Sequence, residues 1–248
     1  MKIDVLFINP GAHDKIYQGL AEDYSAIETP TWSLLLAQAM RSKGHKVAIF
    51  DPLAERLDID ESVIRINEIN AKFNCFVVYG QNPNSGTVNM HGATILSKAL
   101  KANDNYIKTI FVGSHMSALP IEVLKDEDSV DVVLTNEGVY ALDNLLKVKS
   151  FEDKELKDIK GIGYRRDGNP VLTEPERIVP QERMDIDLPG YAWDLLPFKE
   201  KPLDLYRAHF WHAEYKHENR TPFAAIYTSL GCQFGCDFCM INILNRDD

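Results

Sequence analysis

Three cysteines close to the end of the chain have the spacing of a metal-binding site. Cys232, Cys236 and Cys239 form a C-x3-C-x2-C run within the stretch TSLGCQFGCDFCMIN. Three thiolates can hold three corners of a four-iron cluster, and the fourth iron then stays open to a small molecule. Because iron–sulfur clusters usually carry a thiolate on every iron, a three-cysteine site predicts a cluster that takes part in chemistry.

Zinc is the main alternative for this run, because clustered cysteines often bind it. Zinc needs a fourth ligand, and no Cys or His follows Cys239, while His212 and His217 are offset from the run. A disulfide is disfavoured, since the start MKIDVLFINP is not a secretory signal. Cys75 lies in the apolar stretch NCFVVYG and is predicted to be a buried core thiol.

Composition limits the possible partners and the compartment. The 248 residues carry a formal net charge of −10, which argues against a general nucleic-acid surface. No apolar run approaches the roughly 20 residues of a membrane span. Reduced cysteines without a targeting segment favour the cytoplasm.

Residues 1–148 alternate between apolar strands and amphipathic helices. One helix has Trp32 to Met40 on its buried face, with Thr31 as the predicted N-cap and Gly44 as the predicted stop. The alternation predicts an α/β domain with a doubly wound, parallel, five-stranded sheet of Rossmann-like type. The predicted strands cover residues 3–8, 46–50, 75–79, 109–112 and 130–134.

Residues 149–222 have little periodicity and are predicted to be a linker. A hairpin is expected around Asp167-Gly168, a strong turn signal, between strands at 161–164 and 170–173. Residues 223–229 read as a new strand that leads into Gly231-Cys232, so 223–248 would begin a second domain. A barrel of strand–helix units needs on the order of 200 residues, so the chain is expected to be the N-terminal part of a longer protein.

Ligands of open parallel sheets bind beyond the carboxyl ends of the strands. The corresponding loops cover residues 9–11, 79–86, 113–115 and 136–138, and they contain Gly, Asn and Ser. No G-x-G-x-x-G and no P-loop is present, which argues against nucleotide binding through those motifs.

The cysteine run, with Phe238 before its last cysteine, resembles the signature of radical S-adenosylmethionine (radical SAM) enzymes. The resemblance implies a [4Fe-4S] cluster held by Cys232, Cys236 and Cys239, whose open iron binds the amino and carboxylate groups of S-adenosylmethionine. An electron from the cluster then cleaves this cofactor to a 5′-deoxyadenosyl radical. Phe238 would contact the adenine, and flavodoxin or ferredoxin would supply the electron.

The first domain and the linker resemble the cobalamin-binding region fused in front of many radical SAM enzymes. The matching segments are PTWSL, GHKV, FVGSH, the helix led by Pro120, NEG, IGYR, DLP and DLLP. The family usually has a second glycine where Ser114 stands, and Gly-Glu-Gly-Glu where Asn136 and Val139 flank Glu137 and Gly138. The D-x-H-x-x-G motif that supplies a histidine to cobalt is absent. The implied cobalamin contacts are Asn9, Pro10, Tyr79, Gly80, Gln81, Gly113, Ser114, His115, Asn136, Glu137 and Gly138.

Two of these contacts have purely structural alternatives. His115 could be an ordinary loop or cap residue, and Glu137 could be stabilised by a helix dipole without any ligand. The aromatic and histidine cluster at residues 209–217 could reach a substrate, although a solvated linker with aromatic anchors explains it equally simply.

The resemblance implies an enzyme that abstracts a hydrogen from a small-molecule substrate and transfers a methyl group from cobalt to the carbon radical. Oxidative cyclase-type chemistry and a cobalamin-binding module without turnover are the alternatives. A methylthiotransferase is disfavoured, because that group holds a second cluster with three cysteines in its N-terminal domain, where this chain has only Cys75.

Overall fold

The computed structural model describes residues 2–10, 26–80, 86–197, 206–232, 234–239 and 241. Strands and helices alternate over the first domain, and short 3-10 turns follow in the later segments. The strands are β1 (Val5–Ile8), β2 (Val47–Phe50), β3 (Phe73–Val77), β4 (Thr109–Val112), β5 (Val132–Leu134), β6 (Ile162–Arg166) and β7 (Asn169–Leu172). The helices are α1 (Thr31–Ser42), α2 (Pro52–Glu55), α3 (Ile59–Ile69), α4 (Gly86–Asn103), α5 (Ser114–Ala118), α6 (Pro120–Asp126), α7 (Val139–Leu146), α8 (Asp153–Leu156) and α9 (Met184–Asp187).

The strands form one sheet in the order β2-β1-β3-β4-β5-β6-β7. The first five strands are parallel, as predicted, and Val5 of β1 pairs with Val47 on one side and Phe73 on the other. The predicted number of five strands is wrong, because β6 adds to the edge of β5 in antiparallel orientation and β7 follows it. Unpaired backbone groups at the edge of β5 find partners in this way.

The added strands are the predicted hairpin. Asp167 and Gly168 both have positive φ, 50° and 78°, which is the geometry of a two-residue turn matched to the twist of the strands. The Asp-Gly turn signal was therefore sufficient to predict the hairpin. Its pairing with β5 depends on residues about thirty positions away, such as Val132 with Tyr164, and no local signal encodes such a pairing.

Two apolar layers cover the sheet, because successive side chains of a strand point to opposite faces. Phe7, Cys75 and Val77 belong to the layer that packs on α1 and α7. Leu6 and Phe76 belong to the opposite layer, against α3, α4 and α6. Cys75 is fully buried, as predicted for a core thiol.

Helix α1 is placed by its neighbours rather than by an N-cap side chain. It begins at Thr31, so the prediction of Thr31 as N-cap is wrong by one residue, and Pro30 precedes the helix. The Thr31 hydroxyl instead donates to the carbonyls of Thr29 and Ala225, at 3.2 and 3.1 Å. The predicted stop is confirmed, since Gly44 follows the helix with φ 93°.

The linker residues 173–197 lie against the first domain through a buried carboxylate. Asp187 is 2% exposed and accepts hydrogen bonds from Arg183, Lys43 and Tyr140 at 2.6, 2.8 and 2.7 Å. These donors, Arg183 first, hold the pKa of the Asp187 carboxyl well below its usual range. The backbone N–H of Ala192 also donates to the Leu34 carbonyl. The domain boundaries at residues 148 and 222 stay predictions.

Residues 206–230, here called the strap, cross over the start of α1. Arg207 pairs with Ile27 on one side and Pro222 on the other as isolated bridges. The prediction of a strand at 223–229 is wrong, because Ala225 and Tyr227 donate their backbone N–H groups to the hydroxyls of Thr29 and Tyr191 rather than to another strand.

Within the described parts of the chain, no helix combines the length and apolar character needed to cross a membrane.

Replacing Asp187 by Ala should lower the free energy of unfolding by about 2–3 kcal/mol, because it leaves three polar partners without their acceptor. Urea denaturation of the full chain measures this loss. The exposed Asp185→Ala change on the same short helix is the matched control and should cost under about 0.5 kcal/mol. Equal stabilities for the two variants would show that the Asp187 contacts contribute nothing net.

Candidate functional site

A cavity of about 60 Å³ lies at the carboxyl ends of β1 and β3. Within the sheet, β2 is the neighbour of β1 in one direction and β3 is its neighbour in the other. The connections that follow β1 and β3 therefore run in opposite directions, and a crevice opens between them. The predicted residues Asn9, Pro10, Tyr79 and Gly80 line it. The other described lining residues are Glu28, Thr29, Pro30, Thr31, Trp32, Ser33, Leu53, Val77, Asn89 and Tyr227.

Three aromatic rings form one wall of this cavity. Trp32 at the start of α1 stacks on Tyr79 with a centroid distance of 4.5 Å, and Tyr227 of the strap lies 5.9 Å from Trp32. The Tyr227 hydroxyl donates to the Gly80 carbonyl at 3.4 Å. Sequence analysis placed Trp32 on a core face and Tyr227 in a strand, so the aromatic wall was missed.

Two residues of the cavity lining have buried hydroxyl groups without a hydrogen-bond partner among the described residues. Ser33 is 1% exposed and Tyr79 is 8% exposed, and the Ser33 Oγ and Tyr79 Oη atoms are themselves buried. Burial raises the pKa of the Tyr79 hydroxyl, and the nearby Glu137 carboxylate adds to this shift. A buried hydroxyl without a partner costs about 1–3 kcal/mol.

Asp51 forms a buried polar network beside the cavity. Its carboxylate accepts hydrogen bonds from Asn9 Nδ2 at 3.0 Å, from the Tyr206 hydroxyl at 3.2 Å and from the backbone N–H of Ala54 at 3.2 Å. Burial raises the pKa of Asp51 to about 6, and the neighbouring Glu55 carboxylate adds a small part. The predicted contact Asn9 is therefore oriented by an acid that sequence analysis did not single out.

Glu28 and His209 lie within hydrogen-bond distance of each other at the same cavity. His209 Nε2 lies 3.0 Å from Glu28 Oε1, and the two side chains are 25% and 29% exposed. Burial raises the pKa of the Glu28 carboxyl, and the hydrogen bond and charge of His209 oppose that shift. His209 also stacks on Trp211 at 4.0 Å, so part of the aromatic and histidine cluster packs near the cavity.

The predicted contacts at the ends of β4 and β5 are not among the described residues that line the cavity. Gly113 has φ 147°, and a Cβ there would lie 2.1 Å from the Val78 carbonyl oxygen, so this glycine permits a close backbone approach. Ser114 is buried beside Gly86, whose Cβ would meet the Ser114 Oγ at 1.9 Å. His115 is partly buried, which lowers its pKa.

The side chains of Asn136 and Glu137 form hydrogen bonds with backbone groups of the same chain. Asn136 Nδ2 donates to the Glu176 carbonyl at 2.8 Å, and its Oδ1 accepts from the N–H of Gly138 at 2.9 Å. Glu137 Oε1 accepts from the N–H of Val179 at 2.5 Å. These contacts secure the segment after the hairpin. Gln81, the remaining predicted contact, lies outside the described residues.

The cysteine run lies at the surface. Cys232 and Cys236 are exposed and Cys239 is partly exposed, and the Cys239 N–H donates to the Cys236 carbonyl at 3.0 Å. Phe238 is 85% exposed. Among the described residues, no three His, Cys, Asp or Glu side chains are grouped closely enough to hold a metal ion. The metal ligands stay predictions.

The chain length limits how far the first cysteine can lie from the cavity. Tyr227 lines the cavity, and Cys232 follows it by five residues. Five residues span at most about 18 Å when fully extended. Cys236 and Cys239 lie four and seven residues further along the chain, so this limit holds for Cys232 alone.

Comparison with known proteins gives a sequence relative among the methyltransferases. The chain is 30% identical over 210 residues to an uncharacterized methyltransferase of Pyrococcus horikoshii, and the match covers 85% of this chain and 40% of that protein. The chain thus spans about two fifths of the relative's length. No protein-family profile matches the chain.

A solved structure shares the fold at low sequence identity. The radical S-adenosylmethionine methyltransferase TsrM from Kitasatospora setae, solved with tryptophan substrate and a SAM analogue, superimposes with a TM-score of 0.52 and 14% identity. That match covers 70% of this chain and 30% of TsrM. The cobalamin-dependent S-adenosylmethionine radical enzyme OxsB gives a TM-score of 0.49 and 15% identity, covering 77% of this chain and 24% of OxsB.

The raised pKa of Asp51 predicts a specific dependence of stability on pH. The folded protein holds a proton on Asp51 up to about pH 6, whereas the unfolded chain releases it near pH 4. The contribution of Asp51 is therefore fully present below about pH 4 and is lost as pH rises through about 6, a change of up to about 3 kcal/mol.

Denaturant unfolding at several pH values tests this dependence. The Asp51→Asn variant should not lose unfolding free energy through this group as the pH rises. The difference in unfolding free energy between variant and parent should therefore grow from pH 4 to pH 6. The exposed Asp158→Asn change should leave the parent's profile intact. If the unfolding free energy of the Asp51→Asn variant changed with pH in parallel with that of the parent, the raised pKa of Asp51 would be contradicted.

Proposed function

We propose that this chain is the N-terminal part of a cobalamin-dependent radical SAM enzyme that transfers a methyl group to a substrate carbon. One observation carries the proposal: a cavity lies at the point where strand order reverses, and the first cysteine of a three-cysteine run follows Tyr227, a residue of the cavity wall, by five residues, a reach of at most about 18 Å. The methyltransferase relative in Pyrococcus horikoshii supports the reaction class. The fold shared with TsrM, a radical S-adenosylmethionine methyltransferase, agrees with the proposed class of enzyme.

The cavity fits the edge of a corrinoid rather than the whole ring. A volume of about 60 Å³ holds a few groups of the size of a water molecule, so one peripheral side chain of the corrinoid would enter while the ring lay outside. Asn9, Pro10, Tyr79 and Gly80 would contact it.

The cysteine run fits a cluster with an open iron. Cys232, Cys236 and Cys239 are accessible and would hold three irons, and the exposed Phe238 would cover the adenine of S-adenosylmethionine. When bound, the cluster and S-adenosylmethionine supply a carbon-centred radical and the cobalamin supplies the methyl group. A reductant protein such as flavodoxin or ferredoxin is the proposed electron donor.

The chain's own residues bind and orient these groups. Trp32, Tyr79 and Tyr227 present an aromatic wall that excludes water from one side of the cavity. The strap is held against the start of α1 by the hydrogen bonds of Ala225 to Thr29 and Thr31. The protein thus supplies position, and the cofactors supply the reactivity.

The cavity should bind a corrinoid in the isolated chain. After incubation with hydroxocobalamin and desalting, the protein should retain the corrinoid absorbance bands, in a near-stoichiometric amount. Replacing Trp32 by Ala removes the ring stacked on Tyr79 and should weaken binding about tenfold or more. The exposed Tyr106→Ala change, away from the cavity lining, is the control, and a colourless parent protein would contradict the proposal.

The cysteine run should bind iron and sulfide rather than zinc. Anaerobic reconstitution followed by iron and sulfide analysis should yield close to four of each per chain, as expected for a [4Fe-4S] cluster. Single Ser replacements of Cys232, Cys236 or Cys239 should each remove most of the iron. The buried Cys75→Ser change should not, provided that the variant folds, and stoichiometric zinc without sulfide would exclude the radical chemistry.

A further inference from the structure

One tyrosine of the linker bonds both backbone groups of a residue in the cavity wall. The Tyr191 hydroxyl donates to the Tyr227 carbonyl at 2.9 Å and accepts from the Tyr227 N–H at 2.7 Å. Tyr227 lines the cavity, whereas Tyr191 is not among the described lining residues. A single oxygen atom outside the cavity lining therefore satisfies both backbone groups of Tyr227.

The linker around Tyr191 is fixed to helix α1. The Asp194 carboxylate accepts hydrogen bonds from the Arg41 guanidinium at 2.6 and 2.9 Å. The N–H of the buried Ala192 donates to the Leu34 carbonyl at 3.2 Å. Because Arg41 and Leu34 both belong to α1, the Tyr191 hydroxyl has a defined place relative to that helix.

The same helix supplies the ring that faces Tyr227. Trp32 lies in the first turn of α1, and its ring centroid is 5.9 Å from that of Tyr227. Trp32 also stacks on Tyr79, the third ring of the aromatic wall. The backbone position of Tyr227 decides where its ring begins, so the bonds to Tyr191 place that ring opposite Trp32.

The strap around Tyr227 faces the first domain with one side only. Ala224, Ile226 and Thr228 are exposed, and Ile226 is 58% exposed. Segments that bury little apolar surface open locally, at a lower free energy than global unfolding. Loss of the Tyr191 bonds should therefore release the strap before it unfolds the first domain.

From these contacts we propose that Tyr191 is a positioning residue, whose hydroxyl holds Tyr227 in the cavity wall so that the cavity can bind its ligand. Tyr191 acts through Tyr227 and does not contact the ligand. The inference rests on the proposed function in one respect, since a corrinoid is the ligand that reports it. It gives a role to the linker segment DLPGYAWDLLP, to which the proposed function assigns none.

Replacing Tyr191 by Phe removes the hydroxyl and keeps the ring. Amide hydrogen exchange of the full chain is followed residue by residue by NMR at pH 7. The Ala225 and Tyr227 amides should exchange about tenfold faster in the variant, because the strap opens more often. The affinity for hydroxocobalamin, measured by the corrinoid absorbance, should fall about tenfold, because Tyr227 no longer closes the wall.

Tyr164→Phe is the matched control. The Tyr164 hydroxyl on β6 also makes one donated and one accepted hydrogen bond, to Asp153 and from Arg166, and Tyr164 is not among the described lining residues. Both variants should lose a similar free energy of unfolding in urea, since each loses two hydrogen bonds. The control should leave the strap exchange and the corrinoid affinity within about twofold of the parent.

A purely structural role for Tyr191 predicts the same behaviour in both variants. Unchanged strap exchange in Tyr191→Phe, or faster exchange with unchanged corrinoid affinity, overturns the inference. If Tyr191→Phe does not fold, the parent supplies the test, and a Tyr227 amide that exchanges as fast as in an unstructured peptide overturns it. A parent that binds no corrinoid overturns the proposed function, and the exchange of the two variants then still shows whether Tyr191 positions Tyr227.

Discussion

Backbone and hydroxyl hydrogen bonds between residues 26–31 and the strap are the contacts on which the candidate site depends. Ile27 pairs with Arg207, and the hydroxyls of Thr29 and Thr31 bond the N–H and carbonyl of Ala225. These bonds join positions almost two hundred residues apart in the chain. They close one side of the cavity, and without them the cavity would lack Tyr227.

Local sequence signals were sufficient for most of the fold. The five parallel strands followed from short apolar runs, and the Gly44 stop and the Asp167-Gly168 turn followed from residues whose backbone needs positive φ. Partners distant in sequence were not accessible in this way. The pairing of the hairpin with β5 and the bridges of the strap depend on which edges remain free after the rest has folded, and residues 223–229 had strand-like composition without a strand to pair with.

The residues of the candidate site likewise fall into those that the sequence could predict and those that it could not. Asn9 and Tyr79 were found because ligands of parallel sheets bind at the strand ends, a rule that needs only the strand positions. Asn136 and Glu137 satisfied the same rule, yet their side chains bond the backbone of residues 176–179. Glu28, Asp51 and Ser33 carried no recognisable motif. Their importance depends on burial and on partners from the strap, such as His209 and Tyr206, and neither is visible in a sequence window.

The outer hairpin strand has a consequence for how the protein behaves at high concentration. In the described sheet, β7 is the final strand beyond β5 and β6, and it is only four residues long, with Pro170 inside it. Proline has no amide hydrogen, and a short edge offers few groups to an incoming chain. A five-stranded sheet would have ended in the apolar β5. Capping it with a short, proline-containing strand protects the molecule against strand-mediated aggregation at that side.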